Sequence, residues 1–429
     1  MDGFSRRLVG NASWGLASIW VEFVVGLATT TMAARALGAA DYGRVALVTA
    51  AVGLVREFVD VRTWEGVTRY LATFLEEGRR GLALATIKVA LVVESIAAIA
   101  GCALAVVTAR LLAERLLEAP ELRSLVALYA LILLTSAFDA LARAVLRVFN
   151  RFQDLAVQSV VQSLGSLAIL GLLLAIERSV RAVLIAHLLW DVVEAALLGV
   201  LAVRQIRWHL WPARAEARLS GLGPYLAPLL KFMGHTALRA TLKMNRHLDI
   251  LALGYFQSPA AVGQYRVARR LATALEDLSN PFYFAIFPEL ARTWAVARTE
   301  FARIIRRTAT TAAKVTLPVT LLVIAVAPAL VGGLVGPGFE PSVTPLRLLM
   351  IGGGLTVATF WGTPAALGSG HPGIATAAVA FGVLADGALL LLLVPAHGAS
   401  GAAVAAIGGA VAYGITIAVL LPPAMRRAA

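Results

Sequence analysis

Long apolar runs, separated by short polar or charged segments, divide the 429-residue chain. A run of about 20 apolar residues is enough to carry a helix across the hydrocarbon core of a bilayer. The runs predict spans over residues 11–34, 42–61, 82–107, 124–148, 155–176 and 181–203. A polar, arginine-rich stretch at 204–224 interrupts them. A second set follows over residues 225–245, 262–286, 305–329, 345–367, 373–395 and 400–421. In lipid each backbone N–H and C=O must be satisfied within its own segment, so these runs read as α-helices. The first run follows Arg6 and Arg7 and is too long for a signal-peptide core, so it reads as an uncleaved first span.

Composition narrows the class further. The chain is 59% hydrophobic and 15% charged, with a mean hydropathy of +0.80. Soluble domains run near 45–50% apolar and about 25% charged. A net charge of +13 would raise nucleic acid as a partner in a soluble protein. Here the basic residues sit between apolar runs, so no nucleic acid partner is expected. With the N-terminus placed in the cytoplasm, 18 loop arginines fall inside and nine outside, which predicts both termini inside a bacterial inner membrane. Cys102 is the single cysteine and the six histidines form no ligand-spaced cluster, so neither a disulfide nor a metal or other cofactor is expected. There is no GxxxxGK[ST], HExxH or nucleophile elbow, and no long outer loop, so no enzyme is expected.

The two sets of spans coincide at a constant offset of 220 residues, with Gly43 falling on Gly263 and span 82–107 on 302–327. The expected fold is all-α: about 12 transmembrane helices in two six-helix lobes around a central cavity. Residues 1–203 and 225–429 form the lobes, and 204–224 a cytoplasmic linker. Six is an even number, so both halves enter the membrane alike and are related by an axis along the membrane normal.

The seventh span carries Lys231, His235, Arg239, Lys243 and Arg246 at spacings of 4, 4, 4 and 3, which places them on one helix face. From Lys231 to Lys243 the stripe climbs about 18 Å. Three or four such cations facing lipid would oppose insertion by roughly 10 kcal/mol. The stripe is therefore expected to line a water-filled cavity and to meet an anion. Snorkelling also accounts for Lys243 and Arg246 near the span's end. Arg266 and Arg270 on the eighth span join this cationic set. Arg56, Glu57 and Asp60 on the second span, with Asp249 and Asp277, are candidates for coupling or gating, and structural ion pairing accounts for them equally well. Glu22, Glu94, Asp139, Asp191, Glu194 and Asp386 stand alone along the chain and read as interhelical hydrogen-bonding groups. Asp139 with Arg143 reads as a local i,i+4 pair.

The segment AARALGAADYGRVALVTA (33–50) resembles the junction of the first two helices in Wzx-type polysaccharide flippases, of the multidrug/oligosaccharidyl-lipid/polysaccharide exporter superfamily. LDILALGYFQSPAAVGQYRVA (248–268), VGPGFEPSVTPLRLLMIG (335–352) and ALGSGHP…HGASGAAVAA (366–406) resemble the matching pieces of the second half. The resemblance implies a flippase that moves an undecaprenyl-pyrophosphate-linked oligosaccharide to the outer leaflet by alternating access. Its partners would be that lipid-linked oligosaccharide and membrane lipids, in company with a glycan polymerase or glycosyltransferases. Lipid II flippases usually carry two helices beyond the twelfth, so that narrower membership is not expected. A cation-coupled drug or metabolite antiporter of the same fold remains open through Glu57 and Asp277, as does a non-transporting subunit of a glycan assembly complex.

Overall fold

A computed structural model describes residues 3–59, 63–116, 119–217, 219–225, 227, 245–277, 286–287, 289–290, 292–294 and 298–427. Eight helices among them are long and apolar enough to cross a membrane. They account for most of the expected spans because two of the eight are double. The helix Gly3–Val59 is broken at Gly38 (φ 74°) and Pro372–Arg427 at Gly398 (φ 53°). Both breaks fall between expected spans, and both use the positive φ that glycine adopts without a Cβ clash. At Gly398 the chain folds back on itself: a Cβ on Gly401 would sit 2.5 Å from the Leu393 carbonyl oxygen, and one on Gly409 would lie 2.9 Å from the Asp386 Cβ. Residues eight apart in a straight helix are separated by about 12 Å.

Residues 228–244, most of the expected seventh span, lie outside the described residues. A helix covers Asn245–Phe256, beyond the bound the apolar pattern gives, and the chain turns at Gln257 and Ser258. The burial of Ile250, Leu251 and Leu253 accounts for this helix. Pro259, pre-set for a first helical turn, then opens the helix Pro259–Asp277.

The chain forms two compact units. One takes residues 1–29 and 48–244, the other 30–47 and 245–429. In the first, the helix Leu133–Val148 packs against Thr63–Glu76, Arg80–Leu111, Phe152–Ile176 and Val180–His209. Its core at one end gathers Leu71, Phe74, Leu84, Leu198, Leu210 and Leu222. The stretch after His209 forms two short 3-10 turns, Trp211–Glu216 and Leu219–Leu222, and docks on this core. Tyr225 meets Phe74 edge-on at 5.1 Å, and its hydroxyl lies 2.7 Å from the Arg79 guanidinium. Large apolar side chains such as Val107, Ile176 and Leu392 are left exposed, as a lipid-facing surface requires.

In the second unit the helix Val343–Ala358 packs against Pro259–Asp277, Arg298–Leu334 and Pro372–Arg427. Residues 30–47 enter this unit through a glycine contact. A Cβ on Gly43 would stand 1.7 Å from the Pro259 carbonyl oxygen, and one on Gly263 would stand 2.1 Å from the Ala39 carbonyl oxygen. Backbones approach this closely only where both partners lack side chains.

Gly43→Ala is expected to cost about 1–3 kcal/mol through overpacking. Gly332→Ala, whose new Cβ meets nothing within 4 Å, should be neutral or stabilising. Thermal unfolding of the two detergent-solubilised variants checks this, and equal midpoints would refute the close contact.

Candidate functional site

The helix Leu133–Val148 is polar on one face. Ser136, Asp139, Arg143 and Arg147 recur every three or four residues and, with Leu133 and Ala140, line a cavity of about 340 Å³. Arg56 and Val59 of the first long helix, Trp64 of Thr63–Glu76, and Glu94, Ala97 and Ala98 of Arg80–Leu111 complete the wall. The whole cavity lies within the first unit.

Its charges are unevenly compensated. Arg143 donates through Nε to Asp139 at 2.9 Å and through Nη2 to Glu194 on the helix Val180–His209. Buried Glu194 also accepts from the amides of Gln158 (3.4 Å) and Gln162 on the helix Phe152–Ile176. A carboxylate removed from water is tolerated only when paired and hydrogen-bonded in this way. Glu94, 6% exposed, accepts from the Thr63 hydroxyl and, at 3.3 Å, from the Thr63 N–H. Thr63 opens its helix, so this carboxylate lies at the electropositive end of the dipole. Arg147 stands over the Trp64 ring at 5.3 Å, a cation–π contact strengthened by desolvation. Neither Arg147 nor Arg56 pairs with a carboxylate among the described residues. With Arg143 bound to two acids, these two exposed guanidiniums are the cations of the wall that an incoming group could reach.

The residues singled out from sequence fare differently. Lys231, His235, Arg239, Lys243 and Asp60 lie outside the described residues. Arg246 falls in the first turn of Asn245–Phe256, and Asp277 is the last residue of Pro259–Asp277. Arg56 lines the cavity, and half-buried Glu57 follows it on the same helix. Asp249 is buried in the second unit and already committed: it accepts from the Tyr265 hydroxyl at 2.8 Å and from the Ile250 N–H at 2.8 Å, and it forms an ion pair with Arg269. Arg266 lies over the Tyr42 ring at 5.8 Å, and Arg270 is half-buried one turn further on. The structure thus brings Arg56 together with Glu94, Asp139, Arg143, Arg147 and Trp64, a set the linear pattern did not assemble. The signal present in the sequence was the recurrence of Ser136, Asp139, Arg143 and Arg147 within an otherwise apolar span.

Charged cavities walled by membrane-length helices occur in a fold shared with several solved structures. The chain superposes on a lipid II flippase, MurJ, in an inward closed conformation, with a TM-score of 0.72 and 12% identity over 94% of this chain and 87% of that one. An inward-facing multidrug resistance MATE family transporter of the MOP superfamily matches with a TM-score of 0.72 and 15% identity, covering 97% of this chain and 96% of that one. A MOP superfamily transporter from Pyrococcus furiosus, described as having a binding pocket of reverse polarity, matches at 0.66 with 16% identity over 98% and 95%. At such identities these likenesses establish the fold alone: an all-helical, multi-pass membrane fold. By sequence, the chain belongs to the polysaccharide biosynthesis protein family, whose model matches residues 8–294. It is also 27% identical over 100 residues to the protein of Escherichia coli (strain K12) named "Putative O-antigen transporter". That match spans 23% of this chain and about a quarter of the relative's length.

Removing Glu194 leaves Arg143, the buried Gln158 and the half-buried Gln162 short of an acceptor. Glu194→Leu is expected to destabilise the protein by about 3 kcal/mol. Adding Arg143→Leu should recover part of that loss, giving a coupling energy of roughly 1–3 kcal/mol in a double-mutant cycle. Additive losses would show that the two side chains do not act as a pair.

Proposed function

We propose that the protein is a flippase for an undecaprenyl-pyrophosphate-linked oligosaccharide in the assembly of a surface polysaccharide. The observation that carries this reading is the pair Arg56 and Arg147, which line the cavity and form no direct ion pair with a carboxylate among the described residues. Both guanidiniums are exposed, so an approaching anion can reach them. A pyrophosphate offers several oxygens to such donors, and arginine meets them in charge-assisted bidentate pairs. Trp64 in the same wall supplies the flat apolar face on which a sugar ring stacks. The family assignment and the O-antigen relative support a glycan-linked cargo. The stripe Lys231, His235, Arg239, Lys243 and Arg246, with Arg266 and Arg270, would extend the cationic path. Glu57, Asp60, Asp249 and Asp277 would couple transport to a cation or to the membrane potential, and two duplicated six-helix lobes would alternate access. The natural setting is a bacterial inner membrane with both termini in the cytoplasm, beside glycosyltransferases and a polymerase.

The drug-antiporter reading has one observation in its favour, since Glu94 and Asp139 share the cavity. Both acids are engaged by donors of this chain, which leaves the arginines to meet cargo.

In a strain lacking its own flippase, Arg56→Ala/Arg147→Ala is expected to reduce surface polymer at least tenfold at unchanged membrane abundance, while lipid-linked precursor accumulates. Arg239→Ala should do the same. Normal polymer from both would remove the cationic cavity from the mechanism. Export of a cationic dye by the wild type, with no effect on polymer, would favour the antiporter.

A further inference from the structure

A second, larger cavity of about 880 Å³ opens in the first unit, between the helices Leu133–Val148 and Val180–His209. Leu134, Thr135 and Phe138 form one wall, on the face of their helix opposite the one that carries Asp139 and Arg143. At 3.6 residues per turn the two sets are centred about 150° apart, so this groove is separate from the arginine cavity. The other wall is a row of small and β-branched residues from Val192 to Val203, including Ala195, Ala196 and Gly199. The small side chains hollow it out, and nothing lies within 4 Å of where a Cβ on Gly199 would stand. At one end the apolar wall gives way to Arg204, Arg207 and Trp208.

We infer that this groove is a binding site for an anionic membrane phospholipid, with acyl chain against Val192–Val203 and phosphate on Arg204 and Arg207. Three observations fit that occupant. The apolar wall from Val192 to Val203 rises about 16 Å, close to the roughly 15 Å hydrocarbon depth of one leaflet. No acidic residue lines the groove, and neither arginine pairs with a carboxylate among the described residues, so the charge at its mouth is complementary to an anionic headgroup. Trp208, 77% exposed, stands beside them, with Trp211 three residues on, at the polar–apolar boundary that tryptophan favours. A polyprenyl chain would overrun a groove one leaflet deep, which favours an ordinary phospholipid.

The test is native mass spectrometry of the purified full-length protein, equilibrated with equal amounts of phosphatidylglycerol and phosphatidylethanolamine. The wild type is expected to retain phosphatidylglycerol at least tenfold over phosphatidylethanolamine. Arg204→Gln/Arg207→Gln should abolish that preference, and Gly199→Leu, which fills open space, should lower retention of both lipids. Thermal unfolding confirms that each variant is folded. An unchanged preference in the charge variant, undiminished retention in Gly199→Leu, or a polyprenyl phosphate that displaces phosphatidylglycerol would each overturn the site. None of these readouts involves export of polymer, so the outcome is independent of the flippase reading.

Discussion

Charge inside a hydrocarbon solvent has to be answered by the protein itself, and the first unit is organised around that demand. Arg143 is held between Asp139 on its own helix and Glu194 on another, and Glu194 is in turn held by two glutamines of a third. Ion pairs of this kind add little stability over a well-packed apolar core, but half of one is strongly unfavourable. The network therefore fixes the relative placement of three helices more than it strengthens them. The same requirement explains why Glu94 lies at the start of the helix that Thr63 opens, where amide dipoles and a hydroxyl meet it.

Against that background Arg56 and Arg147 stand out by what they lack. Glu94, Asp139 and Arg143 are each held by a hydrogen bond or ion pair from within the chain, whereas Arg56 and Arg147 make no direct ion pair among the described residues and are exposed, Arg147 over an aromatic ring. In the second unit the comparable acid, Asp249, is closed off by Tyr265 and Arg269. The same chemistry is thus closed off in one place and borders a cavity in another.

The order of the helices was largely readable from the chain, because hydropathy measures the solvent that each segment meets. The breaks at Gly38 and Gly398 fall in gaps between apolar runs, and the Asp139–Arg143 pair follows from helical spacing alone. The cavity was less readable. Glu94 and Glu194 look solitary along the sequence because their partners stand on other helices, 31 residues away for Glu94 and Thr63 and 51 for Glu194 and Arg143. Arg147 was indistinguishable from a loop-proximal snorkelling cation until Trp64 was placed beneath it. The helix Asn245–Phe256 was missed because its apolar residues lie past a cluster of charges that reads locally as a boundary.

The membership of residues 30–47 in the second unit has a consequence for biogenesis. This segment leaves the ribosome about 216 residues before Pro259 and Gly263, against which Gly43 packs. At bacterial and eukaryotic elongation rates of about 5–20 residues per second, it waits roughly 10–40 s for them. During that interval a glycine-lined helix face has only lipid or insertion machinery for company. The protein is thus assembled out of sequence order, and the segment around Gly43 depends on residues made much later for its final seat.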